Sequence, residues 1–253
     1  MIFRRRTPKH RPCVPDDRRV YAIGDVHGRL DLLRELITLI EREELKRPPG
    51  APPMLVMLGD LVDRGPDSAG VIRFLRDIAA SNRFDLRLVT GNHEELLLAA
   101  VGGDRQALRV LMRSGGDATL LSFGLTTEEI ARGSYHDLAQ LLRERLPSQD
   151  LEFLRSGEDI IVAGDYVFVH AGVRPGIPLN AQTRADLRWI RNDFLLSTRD
   201  HGKVVVHGHT STADVVELPN RIGIDTGAYA TGRLTAIGLE GDRRWFLSTG
   251  SAS

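Results

Sequence analysis

The sequence predicts an α/β fold, with buried and largely parallel strands in its first half and a second, mixed sheet towards its C-terminal end. Three observations predict it. Short apolar runs are followed three times by a polar loop and then by apolar residues at helical spacing, the pattern of strand–loop–helix units in a parallel sheet. The Asp, His and Asn residues fall just beyond those runs, where open α/β sheets bind ligands. Towards the C-terminus, strand-like segments recur at close intervals between glycines.

The elements follow in order. RVYAIGDVHG gives a strand at Val20–Ile23 and a glycine-bounded loop. LDLLRELITLIEREEL is a helix, because Leu32, Leu33, Leu36, Ile37 and Ile40 share one face. KRPPGAPP breaks it, MLVML at 54–58 is the next strand, and GDLVDRG is its loop. DSAGVIRFLRDIAA is a helix with Val71, Leu75 and Ile78 on its apolar side, and LRLVTGNHE repeats strand, loop and helix start. Residues of about 99–165 read as mainly helical, with no comparable chemical motif. Strands resume at DYVFVHAG, KVVVHGHT, NRIGIDTGAYATGRLTAIGLEG and RRWFLSTG. With no internal repeat or interdomain linker, 19–249 is expected to be one catalytic domain.

At 253 residues the chain buries enough surface to fold without disulfides or a structural zinc. Its 34 basic and 34 acidic side chains cancel, which argues against bulk attraction to nucleic acid or an anionic membrane. Residues 1–18 are an exception, a basic, proline-containing stretch expected to be a flexible arm. It has no apolar core of a secretory signal, and no stretch is long enough to span a bilayer. The lone Cys13 forms no internal disulfide and fits a reducing, cytoplasmic location.

Five clusters carry chemistry: GDVHG with Asp25 and His27, GDLVDRG with Asp60, Asp63 and Arg64, GNHE with Asn92 and His93, His170 in HAG, and His207/His209 in HGHT. A single Asp after a strand often only caps a helix, and an isolated buried His is usually just hydrogen-bonded. All the clusters together, each after an apolar strand, point to a metal site. Carboxylate, amide and imidazole donors without thiolates suit Mn, Fe or Zn. Cys13 and Arg19 have C-x5-R spacing, but through VPDDR in the arm rather than in a phosphate loop, and G-x(4)-G-K-[ST] is absent, so a phosphocysteine route and a nucleotide P-loop have no support.

This set closely resembles the phosphoprotein phosphatase family of serine/threonine phosphatases, in its bacterial and phage branch, within the calcineurin-like metallophosphoesterase superfamily. Relatives of that branch include symmetrical diadenosine tetraphosphate hydrolases. The resemblance runs from about Tyr21 to Gly241 and implies a sandwich of two mixed β-sheets flanked by helices (α/β/β/α). It implies one metal on Asp25, His27 and Asp60, and a second on Asp60, Asn92, His170 and His209, with His207 the alternative to His209. Manganese is the implied ion, with iron or zinc as alternatives. Arg64 and Arg191 match the phosphate-clamping arginines. Arg188 lies near Arg191, and a salt bridge from Arg191 to Asp186 or Asp193 is the plainer alternative. His93 matches the general acid and Asp63 the residue that orients it, while Glu94 is expected to be structural.

Two cations about 3.5–4 Å apart lower the pKa of a shared water, and the hydroxide attacks phosphorus in line. The first expectation is a phosphoserine/phosphothreonine phosphatase acting on phosphorylated proteins, with no stable nucleic-acid partner and no membrane insertion. The alternative is a symmetrical bis(5'-nucleosyl)-tetraphosphatase. The low aromatic content, 6%, offers few surfaces for stacking a base and favours the first. A metal-binding scaffold without turnover is the non-enzymatic alternative.

Overall fold

In β1 (Arg19–Ile23) alternate side chains enter two different cores. Val20 and Ala22 face one, Tyr21 and Ile23 the other, as the two-residue period of a strand requires. In β2 (Met54–Met57), Val56 joins the first core, and Leu55 and Met57 the second. A strand apolar on both faces must be covered on both. The computed structural model, which describes residues 11–15, 18–46 and 50–250, shows what covers them.

β1, β2 and β3 (Asp85–Leu88) pair in parallel. The helix-side core is closed by α1 (Leu30–Lys46) and α2 (Ser68–Ala80), and by a helical block of α3 (Asn92–Val101), α4 (Arg105–Arg113), α5 (Gly116–Ser122), α6 (Thr127–Arg132), α7 (Tyr135–Arg145) and α8 (Ser148–Arg155). The second sheet begins with β4 (Ile161–Ala163) and β5 (Tyr166–Phe168). After the short helices α9 (Arg184–Trp189) and α10 (Asn192–Leu195) it continues with β6 (Val204–His207), β7 (Val216–Leu218) and β8 (Arg221–Gly223), in the order β4-β5-β6-β8-β7. Phe168, Val206 and Ile222 meet Val20 and Val56 between the sheets. Val167 and Val205 point the other way, onto Leu187, Ile190 and Phe194 of α9, α10 and their connection. The layers are therefore α/β/β/α. Each such apolar side chain, fully buried, contributes about 1.5–3 kcal/mol.

The last two strands depart from the sequence reading, which assigned the whole C-terminal region to the second sheet. After α11 (Ala228–Thr231), β9 (Thr235–Glu240) and β10 (Arg243–Ser248) return to the first sheet, in the order β10-β9-β1-β2-β3. β9 runs antiparallel to β1, with Tyr21 opposite Gly238. Trp245 lies over Gly238, where a Cβ would come within 2.6 Å of its Nε1, and packs edge-on to Tyr21 at 6.0 Å. Both sheets are thereby mixed.

Residues 1–10 and 16–17 of the expected arm lie outside the described residues. Cys13 and Val14 are held against the body. The Cys13 N–H donates to Asp165 at 3.0 Å, the Val14 N–H donates to the Gly241 carbonyl at 3.0 Å, and Val14 is buried in the inter-sheet core. No helix among the described residues is long and apolar enough to cross a membrane.

Candidate dinuclear metal site

The loops after β1, β2, β5, β6 and β8, with the first turn of α3 after β3, carry the buried Asp25, His27, Asp60, Asp63, Asn92, His93, His170, His209 and Asp225. Their backbones are bent to do so. His27, Asp60, Asp63, Arg64 and His209 adopt positive φ, between 45° and 72°, and Asn82 is the only other non-glycine residue to do so among those described. Such conformations cost of order 1–3 kcal/mol each and persist where the surroundings enforce them. Gly59 shows how tightly two loops meet, since a Cβ there would lie 2.6 Å from the Gly91 nitrogen. Glu94 ties these loops together, accepting the N–H groups of Asp60 and Leu61 at 2.8 Å and of Gly91 at 2.9 Å. Its carboxylate is thus occupied structurally, as expected.

Asp60 stands at the centre. One oxygen faces His27 Nε2 at 3.6 Å and His93 Nε2 at 3.8 Å, while the other faces His170 Nε2 at 3.4 Å. His170 Nε2 also lies 2.9 Å from Asn92 Oδ1 and 3.2 Å from His209 Nδ1. Among the described residues, the donor atoms of His27, Asp60 and His93 form one group within 4.8 Å, and those of Asp60, His170 and His209 a second. The two share Asp60, and they form a dinuclear metal site.

The tautomers fit metal binding. His27 Nδ1 lies 2.8 Å from the Val62 carbonyl and His170 Nδ1 lies 2.8 Å from that of Leu58. Each Nδ1–H therefore donates to a carbonyl and leaves the Nε2 lone pair directed inward, as metal-ligating histidines do. His209 Nε2 is buried with no hydrogen-bond partner. Burial pushes His27 down to about 3, and burial together with His170 pushes His209 down to about 3, so both are neutral donors. Asp25 is raised by burial and by the charges of Asp225 and Asp60, which a bound cation would relieve. Asp25 lies outside the two tight donor groups, and its oxygens accept the His209 N–H at 3.0 and 3.2 Å.

A sequence profile of the calcineurin-like phosphoesterases matches residues 18–234. The chain belongs to the calcineurin-like phosphoesterase family. It is 30% identical to serine/threonine-protein phosphatase 1 of Salmonella typhimurium, over 88% of this chain and 93% of that protein. It is 32% identical to a symmetrical bis(5'-nucleosyl)-tetraphosphatase of Nitrosospira multiformis, over 82% of this chain and 66% of that protein. A solved structure described as a putative diadenosine tetraphosphatase shares the fold, with a TM-score of 0.64 at 24% identity, covering 96% of this chain and all of that one.

Around the metal site of this phosphoesterase stand the groups expected to handle phosphate. Arg64 places a guanidinium nitrogen 3.4 Å from His93 Nε2. Arg191 reaches Thr210, at 3.5 Å, beside His209. The salt bridge considered for Arg191 does not form, because Asp186 and Asp193 are both bound by Arg174. Arg188 is engaged by Asp159 at 2.6 Å. His207 lies apart from the donor groups, with Nδ1 3.1 Å from the Gly208 carbonyl, Nε2 3.4 Å from Arg221, and its ring edge-on to Phe194. His93 Nδ1 is 2.6 Å from Asp63. Burial opposes a proton on His93, but the Asp60 charge and the Asp63 hydrogen bond outweigh it and raise its pKa.

Three side chains escaped the sequence reading, and one backbone carbonyl completes the site with them. Thr119 donates to Asp63 Oδ1 at 2.6 Å and accepts the Asp63 N–H at 2.8 Å. The Gly115 carbonyl accepts the Arg64 N–H at 2.9 Å, and a Cβ at Gly115 would lie 2.9 Å from Arg64 Cγ. Both belong to the helical block, where sequence spacing gives no warning of contact with GDLVDRG. Asp225 is buried near the site and its carboxylate accepts the Gly227 N–H at 2.9 Å. Its setting, a glycine-flanked Asp after an apolar strand, was the available signal. Tyr229 lies edge-on to His27 at 5.4 Å, with the Arg64 guanidinium over its ring at 4.6 Å.

Proposed function

We propose that this metal-dependent phosphoesterase hydrolyses bis(5'-nucleosyl) tetraphosphates symmetrically, releasing two nucleoside diphosphates. The observation that carries this reading is the aromatic flanking of the site. Tyr229 is 40% exposed beside His27 and Arg64. Trp189 is 40% exposed two residues before Arg191, its indole N–H fixed on Glu95 at 2.8 Å. Low overall aromatic content favoured a protein substrate, but Tyr229 stands against Arg64, where a base could stack, and Trp189 is two residues from Arg191 in the chain. An exposed aromatic against the Arg64 guanidinium suits a substrate that carries a base close to its phosphates.

In this reading Asp25, His27 and Asp60 would hold one divalent ion, and Asp60, Asn92, His170 and His209 would hold the other, manganese being the first candidate. When bound, the pair supplies Lewis-acid charge and a water acidified towards neutral pH. Arg64 and Arg191 present forked donors to the non-bridging oxygens of the scissile phosphate. His93, held by Asp63, delivers a proton to the departing oxygen. That leaving oxygen belongs to a phosphate whose own last proton has a pKa of about 6, so it needs the acid less than a threonine alkoxide does.

A second reading, serine/threonine protein phosphatase, is favoured by the nearly full-length likeness to the Salmonella protein. Manganese-loaded enzyme given diadenosine tetraphosphate and a phosphothreonine peptide at matched concentrations separates the two. The proposal expects higher kcat/KM on the dinucleotide, with ADP as the nucleotide product and a smaller loss in His93→Asn on the dinucleotide than on the peptide. Tyr229→Ala should lose about 5- to 150-fold in kcat/KM on the dinucleotide, since stacking a base contributes about 1–3 kcal/mol, with little loss on p-nitrophenyl phosphate. Preference for the peptide, or ATP plus AMP as products, overturns it.

A further inference from the structure

Helix α4 carries Arg105, Arg109 and Arg113 at four-residue spacing, all exposed, while Ala107, Leu108 and Leu111 fill its buried face. Residues four apart lie above one another on a helix, so the three guanidinium groups form one row about 12 Å long. Among the described residues, none has a carboxylate within 4 Å of its guanidinium nitrogens. Arg105 has a neighbour in His136, at 3.5 Å. Asp104, the carboxylate at the far end, is occupied in capping the helix through the N–H groups of Gln106 and Ala107. Exposed arginines elsewhere are commonly paired, as Arg132 is with Glu128 and Arg184 with Asp159.

The row has a direction. Helix α3 leaves the metal site at Asn92 and His93, the chain turns at Gly102–Asp104, and α4 returns. It ends two residues before Gly115, whose carbonyl binds the Arg64 N–H at 2.9 Å. The Arg113 end of α4 is therefore the end nearer the Arg64 loop, with Arg109 and Arg105 successively further along the helix. The helix C-terminus, which by itself prefers cations, supports a positive row there.

We propose that Arg105, Arg109 and Arg113 bind the chain of a linear oligophosphate whose end occupies the Arg64 site. Forked guanidinium groups match phosphate oxygens, and their unpaired charge lets them bind an anion without first breaking an ion pair. The segment RQALRVLMR has no aromatic residue of its own, whereas a single-strand nucleic-acid track interleaves stacking platforms with its cations. The structure gives this solvent-facing helix no open strand edge with which an acidic peptide backbone could pair. The inference rests on the phosphoesterase centre and is independent of the dinucleotide reading.

Competition against p-nitrophenyl phosphate hydrolysis tests it, with manganese-loaded full-length protein. A long linear polyphosphate should inhibit far more strongly than tripolyphosphate. The combined variant Arg105→Gln, Arg109→Gln, Arg113→Gln should keep its basal turnover and its inhibition by orthophosphate, yet lose about tenfold or more in affinity for the long chain. Its logarithmic salt dependence should fall by about two. A matched control, Arg42→Gln, Arg132→Gln, Arg155→Gln on other helices, should behave as wild type. Inhibition that does not depend on chain length, an equal loss in the control, or equal row-dependent competition by oligothymidylate or polyglutamate overturns the proposal.

Discussion

Replacing Thr119 with valine asks whether the helical block sets the reactivity of the catalytic pair. Thr119 is fully buried, and its hydroxyl donates to Asp63 Oδ1 at 2.6 Å while accepting the Asp63 N–H at 2.8 Å. Valine fills much the same space but offers neither contact. Ser68 still receives the Asp63 N–H at 3.0 Å, so the main loss is the bond to the buried carboxylate. A hydrogen bond to a charged group contributes about 1.5–3 kcal/mol, which for a chain of this size corresponds to roughly 3–12 °C in Tm. Asp63, already raised by burial, loses one of the bonds that lower it and rises further. It then holds His93 less firmly. We expect kcat on p-nitrophenyl phosphate to fall about tenfold or more, with orthophosphate inhibition unchanged because both arginines remain. Thr119→Ser should restore turnover. Thermal scanning alongside steady-state kinetics provides the assay. A fall in Tm with kcat intact would refute the reasoning, because Thr119 would then support only the fold.

The other expectations concern the proton and the phosphate. His93 must be protonated to act as an acid, so kcat should fall as pH rises through its raised pKa. Asp63→Asn removes one of the interactions that raise it, and the alkaline limb of the kcat–pH profile should move to lower pH. An unmoved limb would remove His93 from that role. Arg191→Ala should weaken orthophosphate inhibition by about tenfold or more. Arg188→Ala, which breaks the bond to Asp159, should lower Tm and leave that inhibition intact.

Legibility in the sequence followed the distance over which each feature is specified. Asp25, His27, Asp60, Asn92, His170 and His209 each lie shortly after an apolar strand, so a local pattern places them beyond the carboxyl ends of strands in the two sheets. The parallel core was readable for the same reason. Short strand-like runs between glycines mark β9 and β10, yet they do not say which sheet receives them. Pairing of β9 with β1 joins residues more than 200 positions apart. Thr119 was invisible because its hydrogen bonds to Asp63 need no sequence period. Tyr229 was counted in a composition that argued against nucleotides, whereas its position beside Arg64 argues for them. A composition carries no positions.

The central claim is a pair of metal ions bridged by Asp60, and manganese titration followed by electron paramagnetic resonance tests it most directly. The account predicts two Mn2+ per chain with a spin-coupled signal, one ion lost in His209→Ala, and both retained in His207→Gln. A single uncoupled ion per chain, or an unchanged stoichiometry in His209→Ala, would contradict it.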